Sequence, residues 1–208
     1  MSIPSTTPAA PAATPRALAA LLAAAALLSG CGETPTPAGI PPALLQQARP
    51  IGSGPRFYPP PARSVSGRCA RTLGTRTAAH VELFAANRVV IVPAGIGVGR
   101  PRQVSAGRIV AARCYGALVT LEPTGVVLAS AGAHMTLADL FAAWNQALSA
   151  RRLASFAAPV GGRVAVFVDG RRRWGAPGSV PLTEHAEIVL EVGPHVPPHS
   201  SFTFPPGV

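Results

Sequence analysis

The sequence predicts a β-rich α+β fold: an antiparallel sheet built from hairpins, with one main amphipathic helix packed on it. Three observations predict this. Short runs alternate apolar and polar residues, turn-forming residues recur between those runs, and a single stretch carries helical periodicity.

Each element has its own local reason. His80 to Ala85 and Arg88 to Val92 flank Ala86-Asn87, a tight turn because Asn tolerates positive φ. Ala117 to Leu121 and Val126 to Ala129 flank Pro123-Thr124-Gly125, a second hairpin. Val164, Val166 and Val168 alternate along a third strand that ends at Asp169-Gly170, a strong hairpin dipeptide, and Arg171 to Trp174 supplies the return strand. His80 to Arg88 and Arg163 to Arg171 share a strand, a turn pair and an Arg, which is ordinary hairpin grammar rather than a repeat. Ile188, Leu190 and Val192 alternate with Glu187, Val189 and Glu191. That pattern reads as a strand with one wet face, Glu187 and Glu191 pointing to solvent.

The helix starts at Thr136, where Asp139 three residues later completes a capping-box-like pair. Leu137, Leu140, Phe141, Trp144 and Leu148 recur at helical spacing, carrying the helix through Ser149. Arg151 and Arg152 then suit its C-terminus. The stripe reads as the face that packs on the sheet rather than one that fills a partner's groove.

Residues 1–30 form an export signal. An uncharged stretch from Ala17 to Leu28 follows Arg16; it has the length of a signal-peptide core and falls short of the roughly 18 apolar residues a spanning helix needs. It ends in Leu28-Ser29-Gly30-Cys31, which resembles the lipobox of bacterial lipoproteins. The resemblance implies cleavage before Cys31, acylation of its thiol, and a membrane anchor facing the extracytoplasmic side of the cell membrane. Two or three acyl chains hold durably at roughly 0.8 kcal/mol per buried methylene. Residues 31–64, rich in Pro, Gly and Ala, read as a tether. Residues 65–193 form the globular domain. Residues 194–208 form a Pro/aromatic tail that lies along it, because Phe202 and Phe204 alternate with polar neighbours.

With Cys31 committed to lipid, Cys69 and Cys114 form an even pair in an oxidising compartment. A disulfide is favoured over two buried free thiols or thiolate ligands, since the chain has no Cys-x-x-Cys pair.

The formal charge is +10, carried entirely by Arg, and loss of Arg16 with the signal lowers it by one. The absence of Lys beside abundant Ala, Pro and Gly looks like the imprint of a GC-rich genome on codon choice. Such a balance favours acidic partners. Nucleic acid is disfavoured, because the Arg residues are scattered without interleaved aromatics and export removes the chain from the genome.

Catalytic groupings are thin. Gly95-Ile96-Gly97-Val98-Gly99 lacks dinucleotide-fingerprint spacing and reads as a loop. There is neither a Gly-x-Ser-x-Gly elbow nor a phosphate-binding Gly-Lys loop. His80, His134, His185, His195 and His199 form no i, i+4 or His-x-His pair. Each reads as a surface or hydrogen-bonded residue before it reads as a ligand.

The runs His80-Val81-Glu82-Leu83-Phe84, Val92-Pro93-Ala94-Gly95-Ile96-Gly97-Val98, Pro123-Thr124-Gly125-Val126-Val127, Thr136-Leu137-Ala138-Asp139-Leu140-Phe141 and Pro181-Leu182-Thr183-Glu184-His185 carry a resemblance. Across most of residues 78–193 the chain resembles a family of uncharacterised exported lipoproteins common in actinobacteria. Many relatives carry a His-x-His and a His-Thr-His-Asp run, which imply a metal or proton-handling site. Here Ala78, Val119, Leu121 and Leu128 stand where those histidines would be, and Glu122 stands for the Asp. Of that set, His80 and His185 remain, leaving His80, His185 and Glu122 as weak metal candidates. The sequence therefore points to a non-enzymatic, cofactor-free lipoprotein of the cell envelope that binds a protein or an anionic surface polymer. A metal-binding or degenerate metalloenzyme-like domain is the alternative.

Overall fold

A computed structural model describes Val65 and residues 68–86 and 88–207. The segments expected to be a signal peptide, a lipid-bearing Cys31 and a tether lie outside the described residues.

Among the described residues twelve strands occur in chain order: β1 (Arg76–Ala85), β2 (Arg88–Val90), β3 (Arg102–Ser105), β4 (Arg108–Ala112), β5 (Leu118–Val119), β6 (Val126–Ser130), β7 (Leu148–Ser149), β8 (Arg152–Leu153), β9 (Phe156–Ala157), β10 (Ala165–Val168), β11 (Arg171–Arg173) and β12 (Glu187–Val192). The helix α1 (Leu137–Trp144) lies between β6 and β7. The fold is α+β with β dominant, as the hairpin pattern predicts. Seven strands form the main sheet, ordered β11-β10-β12-β1-β6-β5, with β2 also on β1. The remaining strands form a β3–β4 ribbon and a β7–β8–β9 meander.

The predicted hairpins are present. Leu83 to Ala85 pair with Val90 to Arg88, and Ala86 takes positive φ in the turn, while Asn87 lies outside the described residues. Leu118 and Val119 pair with Ala129 and Leu128. At Asp169-Gly170 both residues have positive φ, matching a two-residue turn whose twist suits the strands it joins. The two look-alike segments at 80–88 and 163–171 thus begin the two hairpins that flank β12.

Local pairing does not foretell the centre of the sheet. β1 pairs with β12 in parallel, His80 beside Glu187 through Ala85 beside Val192, so the sheet is mixed. A parallel pair needs a crossover rather than a turn, and no short sequence signal marks it.

One face of the sheet meets α1. Val81, Leu83, Ile188, Leu190 and Val166 pack with Leu137, Leu140, Phe141 and Trp144 in the larger core. Burying four such side chains contributes on the order of 1.5–3 kcal/mol each. Thr136 caps the helix: its backbone N–H donates to Asp139 Oδ2 at 2.8 Å and its hydroxyl accepts from Asp139 N. The helix is shorter than its periodicity predicts, because Asn145 adopts the left-handed conformation and donates to the Ala142 and Phe141 carbonyls. Leu148 consequently lies in β7 opposite Leu153, and Arg151 and Arg152 belong to the meander rather than to a helix end.

The opposite face carries a smaller core of Ala78, Val98, Ile109, Tyr115, Val119, Leu121 and Leu128, against which Phe204 of the tail packs. Cys69 and Cys114 are joined in a disulfide closing a separation of 45 residues. Ala70 and Tyr115 exchange backbone hydrogen bonds next to it. On the chain-entropy model such a loop contributes roughly 4 kcal/mol.

Two measurements check these elements. Proteolysis without reductant should release Cys69 and Cys114 in one linked peptide by mass spectrometry, and separate thiol peptides would contradict the pairing. Thr136→Ala should lower unfolding free energy by about 1 kcal/mol in urea titration with an unchanged slope.

Candidate functional site

The second face of the sheet holds an unusual charge arrangement. In β1, His80, Glu82 and Phe84 alternate onto this face, and in β12 so do Glu187, Val189 and Glu191. The parallel register puts His80 beside Glu187. Both are buried, at 4% and 1% exposure. The reading of Glu187 and Glu191 as solvent-facing is therefore corrected. All six residues of β12 are buried, because a central strand is covered on both faces and the tail supplies the second cover.

The tail reaches the face through rings and imidazoles. Phe202 stacks on His80 with centroids 3.7 Å apart and planes 10° from parallel. Phe204 meets Phe202 edge-on and lies against His185. His195 Nδ1 is 2.8 Å from Glu191 Oε2, and His199 Nδ1 is 2.8 Å from Glu82 Oε2. Together with His80–Glu187, three imidazole–carboxylate pairs line one surface.

His80 is the most constrained of these groups. Its Nε2 lies 2.8 Å from the Thr124 carbonyl and its Nδ1 2.6 Å from Glu187 Oε2. A carbonyl can only accept, so Nε2 carries a hydrogen, and a further proton is shared between Nδ1 and Oε2. The backbone around the pair is equally fixed. Asp169 Oδ1 accepts from Glu187 N at 3.0 Å, and a Cβ on Gly125 would come 2.6 Å from the Val81 carbonyl and 2.9 Å from His80 Nε2. Gly125 also has φ +84, so glycine is required there twice over.

The three weak candidates are not gathered together. Glu122 pairs with Arg108, and the exposed His185 lies in a turn against Phe204. Around His80 the structure gathers Glu82 and Glu187 instead, with one potential donor atom from each within 4.8 Å of the others. The sequence did contain a signal for them: two carboxylates and an imidazole on strands of matching alternation. It could not be used without the parallel register.

A second, exposed feature lies at the sheet edge. Arg171, Arg172 and Arg173 form β11, the outermost strand, all solvent-exposed. Trp174 follows at 83% exposure, with the Arg172 guanidinium carbon 4.4 Å from its ring centroid. Among the described residues no carboxylate pairs with these three cations. Other arginines serve the fold: Arg76 donates to the carbonyls of Leu73, Gly116 and Ala117, and Arg102 to that of Val98. Burial lowers the pKa of both, and the like charge of Arg100 adds to the lowering at Arg102.

The tail's covering role is open to measurement. Phe202→Ala should expose the His80 ring and speed its modification by diethylpyrocarbonate severalfold, read by peptide mass spectrometry. An unchanged rate would mean that the stack does not shield it.

Comparison with protein-family models, with curated proteins and with solved structures found no match.

Proposed function

We propose that the chain is a lipid-anchored, extracytoplasmic binding domain of the cell envelope, non-enzymatic, and that its partner is an anionic surface polymer. The single observation that carries the polymer is the exposed Arg171-Arg172-Arg173-Trp174 edge. Three guanidinium groups with no carboxylate partner among the described residues offer forked donors to phosphate or carboxylate groups, and the Trp174 ring against Arg172 offers a flat stacking surface. The same charges keep the edge strand from pairing with another chain, so the surface stays available. The overall excess of Arg favours the same class of partner through long-range attraction.

The anchor rests on Leu28-Ser29-Gly30-Cys31. The Cys69–Cys114 disulfide is in keeping with an oxidising compartment, and among the described residues no helix is long and apolar enough to cross a membrane. Kinship with the actinobacterial exported lipoproteins is part of this proposal.

Binding of fluorescent poly(glycerol phosphate) to the full chain tests it. Affinity should fall steeply between low and physiological salt. Replacing Arg171, Arg172 and Arg173 together by Ser should weaken binding about a hundredfold, taking roughly 1 kcal/mol per cation facing an anionic surface. Affinity indifferent to both salt and the triple substitution would overturn the polymer assignment. In cells, Cys31→Ala should move the protein from the membrane to the soluble fraction, and retention would overturn the anchor.

A further inference from the structure

We propose that His80, Glu82 and Glu187 form a binding site for a divalent first-row transition cation, independent of the basic edge. The three side chains come from adjacent parallel strands, and one potential donor atom from each lies within 4.8 Å of the others. Clusters of this kind are common without an ion, so the weight falls on two further observations.

The first is an unsatisfied oxygen. Glu187 is 1% exposed, and its Oε1 finds no hydrogen-bond partner among the described residues, while Oε2 faces His80. A buried carboxylate oxygen without a partner is costly. A cation beside the carboxylate would remove that cost, as water or a ligand does for other buried polar groups.

The second is the state of the imidazole. Metal-ligating histidines donate their other ring N–H to a carbonyl or carboxylate, which fixes the tautomer and aims the free nitrogen. His80 Nε2 meets the Thr124 carbonyl in this way, and the Phe202 ring clamps the imidazole plane from its face. Nδ1 is left pointing at the carboxylates. A cation there takes the place of the proton shared with Glu187. Donor atoms now 2.6 Å apart open to about 3.3 Å, the separation that tetrahedral ligation at 2.0–2.1 Å requires.

Charge and access agree. One neutral imidazole and two carboxylates bring two negative charges, which balance a divalent ion, with His199 of the tail holding Glu82 Oε2 from the other side. A nitrogen donor among oxygen donors favours zinc, copper, iron or nickel over calcium or magnesium. A cavity of about 110 Å³ lies against two of the three ligands, His80 and Glu82, where β2 and β6 succeed one another along β1, with Glu187 outside its lining. It has room for the waters that complete the coordination sphere. Glu191 also has a buried unpartnered oxygen and a histidine on the other, yet it belongs to no three-residue donor group among the described residues.

The test is calorimetric titration of the full chain with Zn2+, together with the visible spectrum of the Co2+ form. About one ion per chain should bind, and Co2+ should give an absorption pattern of low-coordinate nitrogen and oxygen ligation. Glu82→Gln, at a half-buried position, should weaken binding by more than the roughly tenfold that loss of an outer-sphere partner costs. Glu187→Gln should abolish it, with circular dichroism reporting whether the variant is folded. Glu122→Gln and His134→Ala should leave it unchanged. Absence of stoichiometric binding overturns the site. So does binding that Glu82→Gln leaves intact, since Glu82 is then no ligand. Polymer affinity of the Glu82→Gln variant should equal that of the parent, which keeps the two proposals separable.

Discussion

The parallel pairing of β1 with β12 is the constraint on which the remaining structure depends. It joins residues 107 positions apart in the chain, His80 and Glu187, and brings the two flanking hairpins into one sheet. On one face it lays Val81 and Leu83 beside Ile188 and Leu190, the apolar floor on which α1 rests. On the other it lays an imidazole beside a carboxylate, where no apolar side chain fills the position. A one-residue slip of this register would exchange the faces, turning Glu187 and Glu191 into the helix-side core. The buried pair therefore acts against misregistration as well as contributing its own hydrogen bond.

Features decided within about ten residues were legible in the sequence. Asp169-Gly170 announced its hairpin because positive φ at consecutive positions admits few residue types. Thr136 and Asp139 announced the helix start because the capping box is a local exchange of hydrogen bonds. Features decided by distant chain were not. Asn145 ends the helix before Leu148 despite intact apolar spacing, because its left-handed conformation turns the chain into the meander where Leu148 pairs with Leu153. Alternation along β12 separated its two faces correctly, and yet assigned the wrong environment to one of them. Alternation says which residues share a face and nothing about what covers it.

The candidate site shows the same division more sharply. His80 was visible as an isolated imidazole, and Glu82 sat two residues away on the same strand face. Glu187 could join them only through β1–β12 pairing, and the tail rings that dry the cluster lie still further along the chain. Only a resemblance in sequence singled out His185 and Glu122. In three dimensions each has a neighbour of its own, Phe204 and Arg108, that accounts for its placement. The carboxylates hidden in a hydrophobic-looking strand were the better signal, because burial of a charge demands a compensating partner.

The stack of Phe202 on His80 also sets a threshold for anything that approaches this surface. Phe202 lies on the same chain as the ring it covers, so it acts as an intramolecular occupant whose effective concentration is in the range of about millimolar for a short flexible connection. A solution ligand for the ring face must displace it and is handicapped in apparent affinity by the fraction of time the tail is seated. The tail thus acts as a filter on one side of the ring, closing that face of the imidazole to flat organic molecules while its two nitrogens stay engaged with Glu187 and Thr124.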